Sequence, residues 1–367
     1  MTRSHDKPAK NLKKIVSLAA LTLAAVTIVV TLASREVRFL ARSAYEEARI
    51  LIRRRAIESM IADPATSPEV RAQLQLVLDA RAFAADSLSL DVGDAYTTYT
   101  DVGRDTLLLV LSASPKDELS YYTWRYPIVG EVPYKGFFHH ETARAAAARL
   151  ETKGYDTHLR PAGAFSTLGW FGDPLLSTAM SPNPVALVAT VIHEVSHNTI
   201  YVPGATNFNE SFALFVGYLG AYRFFQIRGD SSRAERAGAI WRDERRLQDF
   251  YGSVRARLES LYGGALPRDS LMEAREAVFD GARDLLAGRV GNELEVYGGE
   301  RLAQLPMNNA TILAASIYRT RLELFERAYE INNRGLRETV WELSRLVASS
   351  EGVDPFTVLE AYAGSHP

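Results

Sequence analysis

Apolar residues change their spacing along this chain, and each change marks a different kind of segment. Ile15 to Ala33 reads IVSLAALTLAAVTIVVTLA, an unbroken run of apolar and small residues directly after Lys13 and Lys14. As a helix it would extend about 28 Å at 1.5 Å per residue, close to the hydrocarbon thickness of a bilayer, so the pattern predicts an uncleaved transmembrane anchor. A cleaved signal peptide is one alternative, with Thr31, Leu32 and Ala33 as a weak cleavage site, and a buried core helix is the other. Between Ser34 and Ile61 apolar residues fall at helical spacing among arginines. Pro64, Ser67 and Pro68 then punctuate the chain before an amphipathic helix that runs to about Leu88.

From Tyr96 to Phe138 β-branched and aromatic residues sit between Pro and Gly breaks, notably in Thr106 to Ser112 and Pro127 to Phe138, which predicts a small sheet. His140 to Lys153 is an Ala-rich helix stopped by Gly154, and Tyr155 to Leu159 alternates like another strand. From Asn183 to Ala363 helical spacing dominates, with Asn183 as N-cap and Pro184 at the first helical position. The fold class expected is α+β, predominantly helical, with a small β-sheet and the N-terminal transmembrane helix. The domains expected are a basic cytoplasmic tail (1–14), the anchor (15–33), a helical juxtamembrane region (34–90) and one catalytic unit (91–367).

Composition narrows the function. With 367 residues, 47% hydrophobic and 23% charged, the chain has the balance of an ordinary folded protein. A net charge of −2 lacks the Lys/Arg excess of a nucleic-acid binder, so no such partner is expected. The absence of cysteine excludes disulfides, thiol nucleophiles, Cys-ligated zinc and cysteine-linked lipid anchors, so any metal must be held by His and carboxylate. Basic residues flank the apolar run on both sides, from Arg3 to Lys14 before it and from Arg35 to Arg55 after it, so the charge rule for orientation is nearly balanced. Because basic leaders usually stay in the cytoplasm, the expected localisation is single-pass in the inner membrane with the catalytic unit extracytoplasmic.

Within the Pro184 to Ile200 helix lies His193-Glu194-Val195-Ser196-His197, the H-E-x-x-H pattern. Residues four apart share a helix face, so His193 and His197 can present two imidazoles to one Zn²⁺. Glu194 lies about 100° further round, which suits a general base acting on a water that the zinc has acidified. A third ligand is needed, and Glu210 is the leading candidate. It follows a turn-rich loop containing Pro203 and Gly204, at the start of a helix that Asn207 would cap. The competing role for Glu210 is a capping box with Asn207. Ala213 completes N-E-x-x-A, where a small residue permits close helix approach. His139, His140 and His158 are weaker ligand candidates, on or beside strands. Tyr201 and Tyr318, the latter on an expected Ala310 to Tyr329 helix, are candidate donors to a developing oxyanion, and core or surface packing is the competing role of each. Val132 to Phe138 could be an edge strand that pairs with an extended peptide, or an ordinary sheet strand.

Ala164 to Thr178 (AFSTLGWFGDPLLST), HEVSH and Tyr201 to Ala213 (YVPGATNFNESFA) together resemble the bacterial predicted aminopeptidase family of gluzincin-type proteins. Trp124 to Phe138 and Met307-Asn308-Asn309-Ala310 with Tyr318 extend the resemblance over about Ile57 to Phe325. It implies a zincin-like catalytic unit that binds one zinc through His193, His197 and Glu210, uses Glu194 as base and takes a peptide substrate. Family members commonly carry a lipoprotein signal ending in Cys, where this chain has Ser34. No G-x-M-E-N-like element for a free α-amine is present. Hydrolysis of another amide, such as cell-wall peptide, therefore stays open beside aminopeptidase action, as does a scaffold with structural zinc, against which the intact Glu194 argues. Oligomeric state is not legible.

Overall fold

The computed structural model describes residues 16, 18–27, 29, 35–126, 130–163 and 173–365. The chain divides into two compact units, Met1–Arg53 and Arg54–Pro367. In the first, α1 (Arg35–Ile52) carries Glu46, which takes ion pairs from Arg42 at 2.8 Å and Arg49 at 3.6 Å. These are the i,i+4 and i,i+3 pairs that helical spacing allows.

The expected transmembrane helix over 15–33 is not borne out: among the described residues no helix is long and apolar enough to cross a membrane. The next helix, α1, is rich in Arg and Glu. The single-pass inner-membrane localisation and the extracytoplasmic orientation rested on that helix and fall with it. The basic segment 1–14 lies outside the described residues, as do 127–129 and 164–172 of the strings that carry the family resemblance.

In the second unit, α2 (Ile57–Ala62) and α3 (Pro68–Leu88) precede a small mixed sheet in which β2 (Thr98–Thr100) lies between β1 (Arg55–Ala56) and β8 (Leu175–Leu176). A hairpin pairs β4 (Trp124–Tyr126) with β5 (Gly130–Val132). The larger antiparallel sheet has the order β6 (Tyr134–Phe137), β3 (Leu108–Pro115), β7 (Tyr155–Ala162), so β6 and β7 are its edges. The register sets its two faces, because side chains alternate along a strand. Leu111, Ala113 and Phe137 pack with Ala143, Ala147 and Leu150 of α4 (His140–Glu151) on one face. The other face carries Tyr134, Ser112 and His158 in one row, and Gly136, Val110 and Arg160 in the next.

The remaining helices are α5 (Pro184–Ser196), α6 (Thr206–Ile227), α7 (Ser231–Tyr262), α8 (Arg268–Ala287), α9 (Arg289–Glu293), α10 (Gly299–Ala303), α11 (Asn309–Tyr318), α12 (Leu322–Ile331), α13 (Leu336–Ala348) and α14 (Pro355–Gly364). Asn183 caps α5 as expected, its Oδ1 accepting from the Val185 N–H at 3.0 Å with Pro184 at the first position. Apolar residues nearly all round α5 bury it between α3 and α6. Phe208, Phe212 and Phe215 of α6 pack round Phe325, each removing roughly 1.5–3 kcal/mol of apolar surface from water. Two α6 glycines set the approach to α5: a Cβ on Gly217 would lie 2.8 Å from the Ala189 oxygen, and one on Gly220 would lie 3.0 Å from Ile192.

The helix expected from Ala310 to Tyr329 is broken. Arg321 sits at φ 54°, a left-handed conformation that no Gly or Pro announces, and it separates α11 from α12. Tyr318 is therefore the last residue of its helix. At the other end of α11, the Asn309 N–H donates to Asp156 Oδ2 at 3.0 Å and Asn308 Nδ2 donates to the Thr157 oxygen at 3.0 Å. This helix lies on the sheet face that carries Asp156, His158 and Arg160.

Candidate functional site

The last turn of α5 brings His193 and His197 onto one face, with ring centroids 5.1 Å apart and planes at 87°. Glu210, in the second turn of α6, reaches back so that Oε2 lies 3.3 Å from His193 Nε2. One ligand atom from each of His193, His197 and Glu210 lies within 4.8 Å of the others, a group that could hold a metal ion.

The donors fit such an ion. His197 Nδ1 is buried without a hydrogen-bond partner, which a ligated cation would resolve. The Ala213 main chain lies close enough to His193 to help raise its pKa, the kind of contact that fixes a ligand ring. Gly217 lies under this histidine, where an added Cβ would come within 3.2 Å of His193 Cβ. Close helix approach is thus provided by Gly217 together with buried Ala213.

The capping role for Glu210 is not taken up. α6 begins at Thr206, one residue before the expected Asn207 cap, and the residue before it, Ala205, makes no side-chain cap. Asn207 instead donates to Thr320 Oγ1 at 3.3 Å, and the Thr320 N–H donates to Ser211 Oγ at 3.0 Å. Asn209 clasps the preceding loop, accepting from the Val202 N–H and donating to the Val202 oxygen, both at 2.9 Å. With Asn209 turned onto the loop, neighbouring Glu210 faces the histidines.

Electrostatics distinguish the members of the group. Burial pushes the His197 imidazole down to about 4, with the adjacent His193 adding to the effect, so it is neutral near pH 7 as a metal ligand must be. Burial also opposes charge on His193, but the Glu210 hydrogen bond and the Glu194 carboxylate outweigh it and raise its pKa. For Glu210 burial is overcome by the His193 hydrogen bond and by the His193, His197 and Arg160 charges, which hold it below the usual carboxylate range. Glu194 is raised, by burial first, then by Glu210 and Asp173, against the pull of His193.

Tyr318 comes close, its ring centroid 6.2 Å from that of His193, and burial with the Glu210 charge pushes its phenol up to about 12. Tyr201 does not join the ligands. It is 53% exposed and lies outside the group of possible metal ligands. His139 and His140 are exposed at the start of α4, and His158 lies on β7, all outside the ligand group.

Four neighbours were not singled out from the sequence. Tyr134 on β6, 42% exposed, is raised by partial desolvation and by Glu210. Arg160 on β7 draws down Glu210, Tyr318 and Tyr134. Tyr96 is raised well above the ordinary phenol by burial, with Glu194 and Asp173 adding. Its main chain donates to the Asp173 oxygen at 3.1 Å, and its φ of 58° is a strained conformation for a bulky residue. Period-two alternation along Tyr155 to Leu159 was the available signal for Arg160, the next position on the His158 face.

Fold and site together define a predominantly helical α+β protein with a two-histidine, one-carboxylate group able to hold one metal ion. The chain belongs to the family described as "Putative aminopeptidase", whose model matches residues 38–353. No curated protein and no solved structure matches it.

Proposed function

We propose that the protein is a zinc-dependent metallopeptidase acting as an aminopeptidase, a gluzincin in which His193, His197 and Glu210 hold one zinc ion. The observation that carries this reading is the convergence of those three donors beside Glu194. Two imidazoles and a carboxylate are a common donor set for catalytic zinc, which keeps a fourth position open. Bound zinc supplies Lewis acidity, polarising the scissile carbonyl and lowering the pKa of water toward about 7.

The residues of the chain do the rest. Glu194, with its proton affinity raised by burial, takes a proton from the attacking water and returns it to the leaving nitrogen. Tyr318 stays protonated at neutral pH and donates its O–H to the oxyanion that develops on the scissile carbonyl. Edge strand β6 offers main-chain groups to an extended peptide.

The test is zinc content and cleavage of a mixed peptide library by the full chain and by Glu194→Gln. One zinc in both proteins, with N-terminal trimming by the unsubstituted chain alone, is expected. Zinc without cleavage by either protein rejects the peptidase assignment, and absence of zinc from both rejects the metal site.

A further inference from the structure

Arg160 is a half-buried arginine on an edge strand, and among the described residues it has no ion-pair or hydrogen-bond partner. That is unusual for this molecule, in which Arg275 pairs with Asp156, Arg319 with Glu244, and Arg242 and Arg246 with Glu295. Taking a guanidinium partly out of water without a partner carries a cost. Strand register explains where it points. Arg160 stands opposite Val110, two residues on from His158 and four from Asp156, on the face covered by α11. Asp156 of the same row binds the start of that helix, and Tyr318 ends it. Tyr134 stands on the same sheet face from the opposite edge, paired with Ser112. Arg160 thus shares a wall with Tyr134, facing Tyr318.

Arg160 places a positive charge beside Glu210 and Tyr318, next to the ligand group. The planar fork of a guanidinium matches a carboxylate with two parallel hydrogen bonds.

We propose that Arg160 is a specificity-determining residue that binds a substrate carboxylate beside the candidate metal site. The carboxylate is either the C-terminus of a very short peptide or an acidic side chain. This rests on the peptidase reading above.

The test measures binding without turnover, by calorimetry on the zinc-loaded full chain carrying Glu194→Gln. The probes are alanyl-alanine, alanyl-alaninamide and alanyl-glutamic acid α-amide, with and without Arg160→Ala. Arg160→Ala is expected to weaken at least one carboxylate-bearing probe by about ten-fold or more, the loss typical of a charge-assisted hydrogen bond, and to leave alanyl-alaninamide unchanged. Arg160→Lys is expected to recover part of the loss, and thermal unfolding checks that each variant is folded. A loss confined to alanyl-alanine identifies the C-terminal carboxylate, and a loss confined to the glutamic acid probe identifies an acidic side chain. Equal weakening of all three probes, or no change in any, overturns the role of Arg160 while the peptidase reading stands. If no probe binds even with Arg160 intact, the peptidase reading fails and this inference with it.

Discussion

Two walls meet at the site, and they are built differently. The helical wall, α5 with the start of α6, carries His193, Glu194, His197 and Glu210 within 18 residues of sequence. The sheet wall gathers Tyr134 and Arg160 from strands 26 positions apart in the chain, with α11 bringing Tyr318 beside them from a distant segment. On the helical wall, chemistry depends on local periodicity and one tight helix contact. On the sheet wall it depends on register, which only long-range pairing can set. Metal-binding and proton-transfer groups therefore stand on the more local scaffold, and the groups assigned to substrate stand on the less local one.

The largest effects should come from the helical wall. Glu194→Gln is expected to lower kcat by about 10²–10⁴-fold with zinc retained, whereas Glu210→Ala should lose zinc itself, read by metal analysis after dialysis. Retention of stoichiometric zinc by Glu210→Ala would remove Glu210 from the ligand set. Next, Tyr318→Phe should lower kcat by about 10²-fold with little change in KM, since an oxyanion donor acts mainly in the transition state. A change in KM alone would return Tyr318 to a packing role.

A pH experiment isolates His197. Its folded-state pKa of about 4 lies below the unfolded value near 6.5, so the unfolded chain takes up the proton first. The stability this contributes is fully present above pH 6.5 and is lost as the pH falls toward 4. Chelator-treated protein should thus lose up to about 3 kcal/mol over that window relative to His197→Gln, read by denaturant unfolding. Parallel curves for the two proteins would contradict the buried neutral imidazole.

Smaller effects probe the scaffold. Gly217→Ala forces a Cβ against the Ala189 oxygen and should cost about 1–3 kcal/mol and weaken zinc binding, because His193 sits on the displaced turn. Asn209→Ala leaves the N–H and oxygen of Val202 without their partner and should cost about 1–3 kcal/mol in thermal unfolding. Gly217→Ala with unchanged zinc affinity would show that the helical wall tolerates repacking.

The same contrast governs what the sequence revealed. The i,i+4 histidines, the Asn183 cap and the general α+β succession follow from rules acting over a few residues. Glu210 could be assigned either to a cap or to the site from spacing alone, and the choice depended on Asn209 holding Val202. Tyr96 was not legible, since a strained φ leaves little local trace, and for Arg160 the alternation along Tyr155 to Leu159 gives its face but not the cross-strand register that brings it to the site. The break at Arg321 escaped because no Gly or Pro marks it. The apolar run at 15–33 was read as a bilayer span because hydropathy reports which surroundings a segment tolerates, which is not by itself evidence of a membrane.

Helix α11 joins these walls as a strut. Its ten residues span about 15 Å, with the first tied to Asp156 of the sheet and the last presenting Tyr318 to His193. Like the arm of a caliper, it converts a position on the sheet into a position beside the ligands. A one-residue insertion within it would swing the phenol by about 100° and advance it by about 1.5 Å while leaving every ligand untouched. The length of one helix thus decides whether this centre has an oxyanion donor at all, independently of its metal ligands.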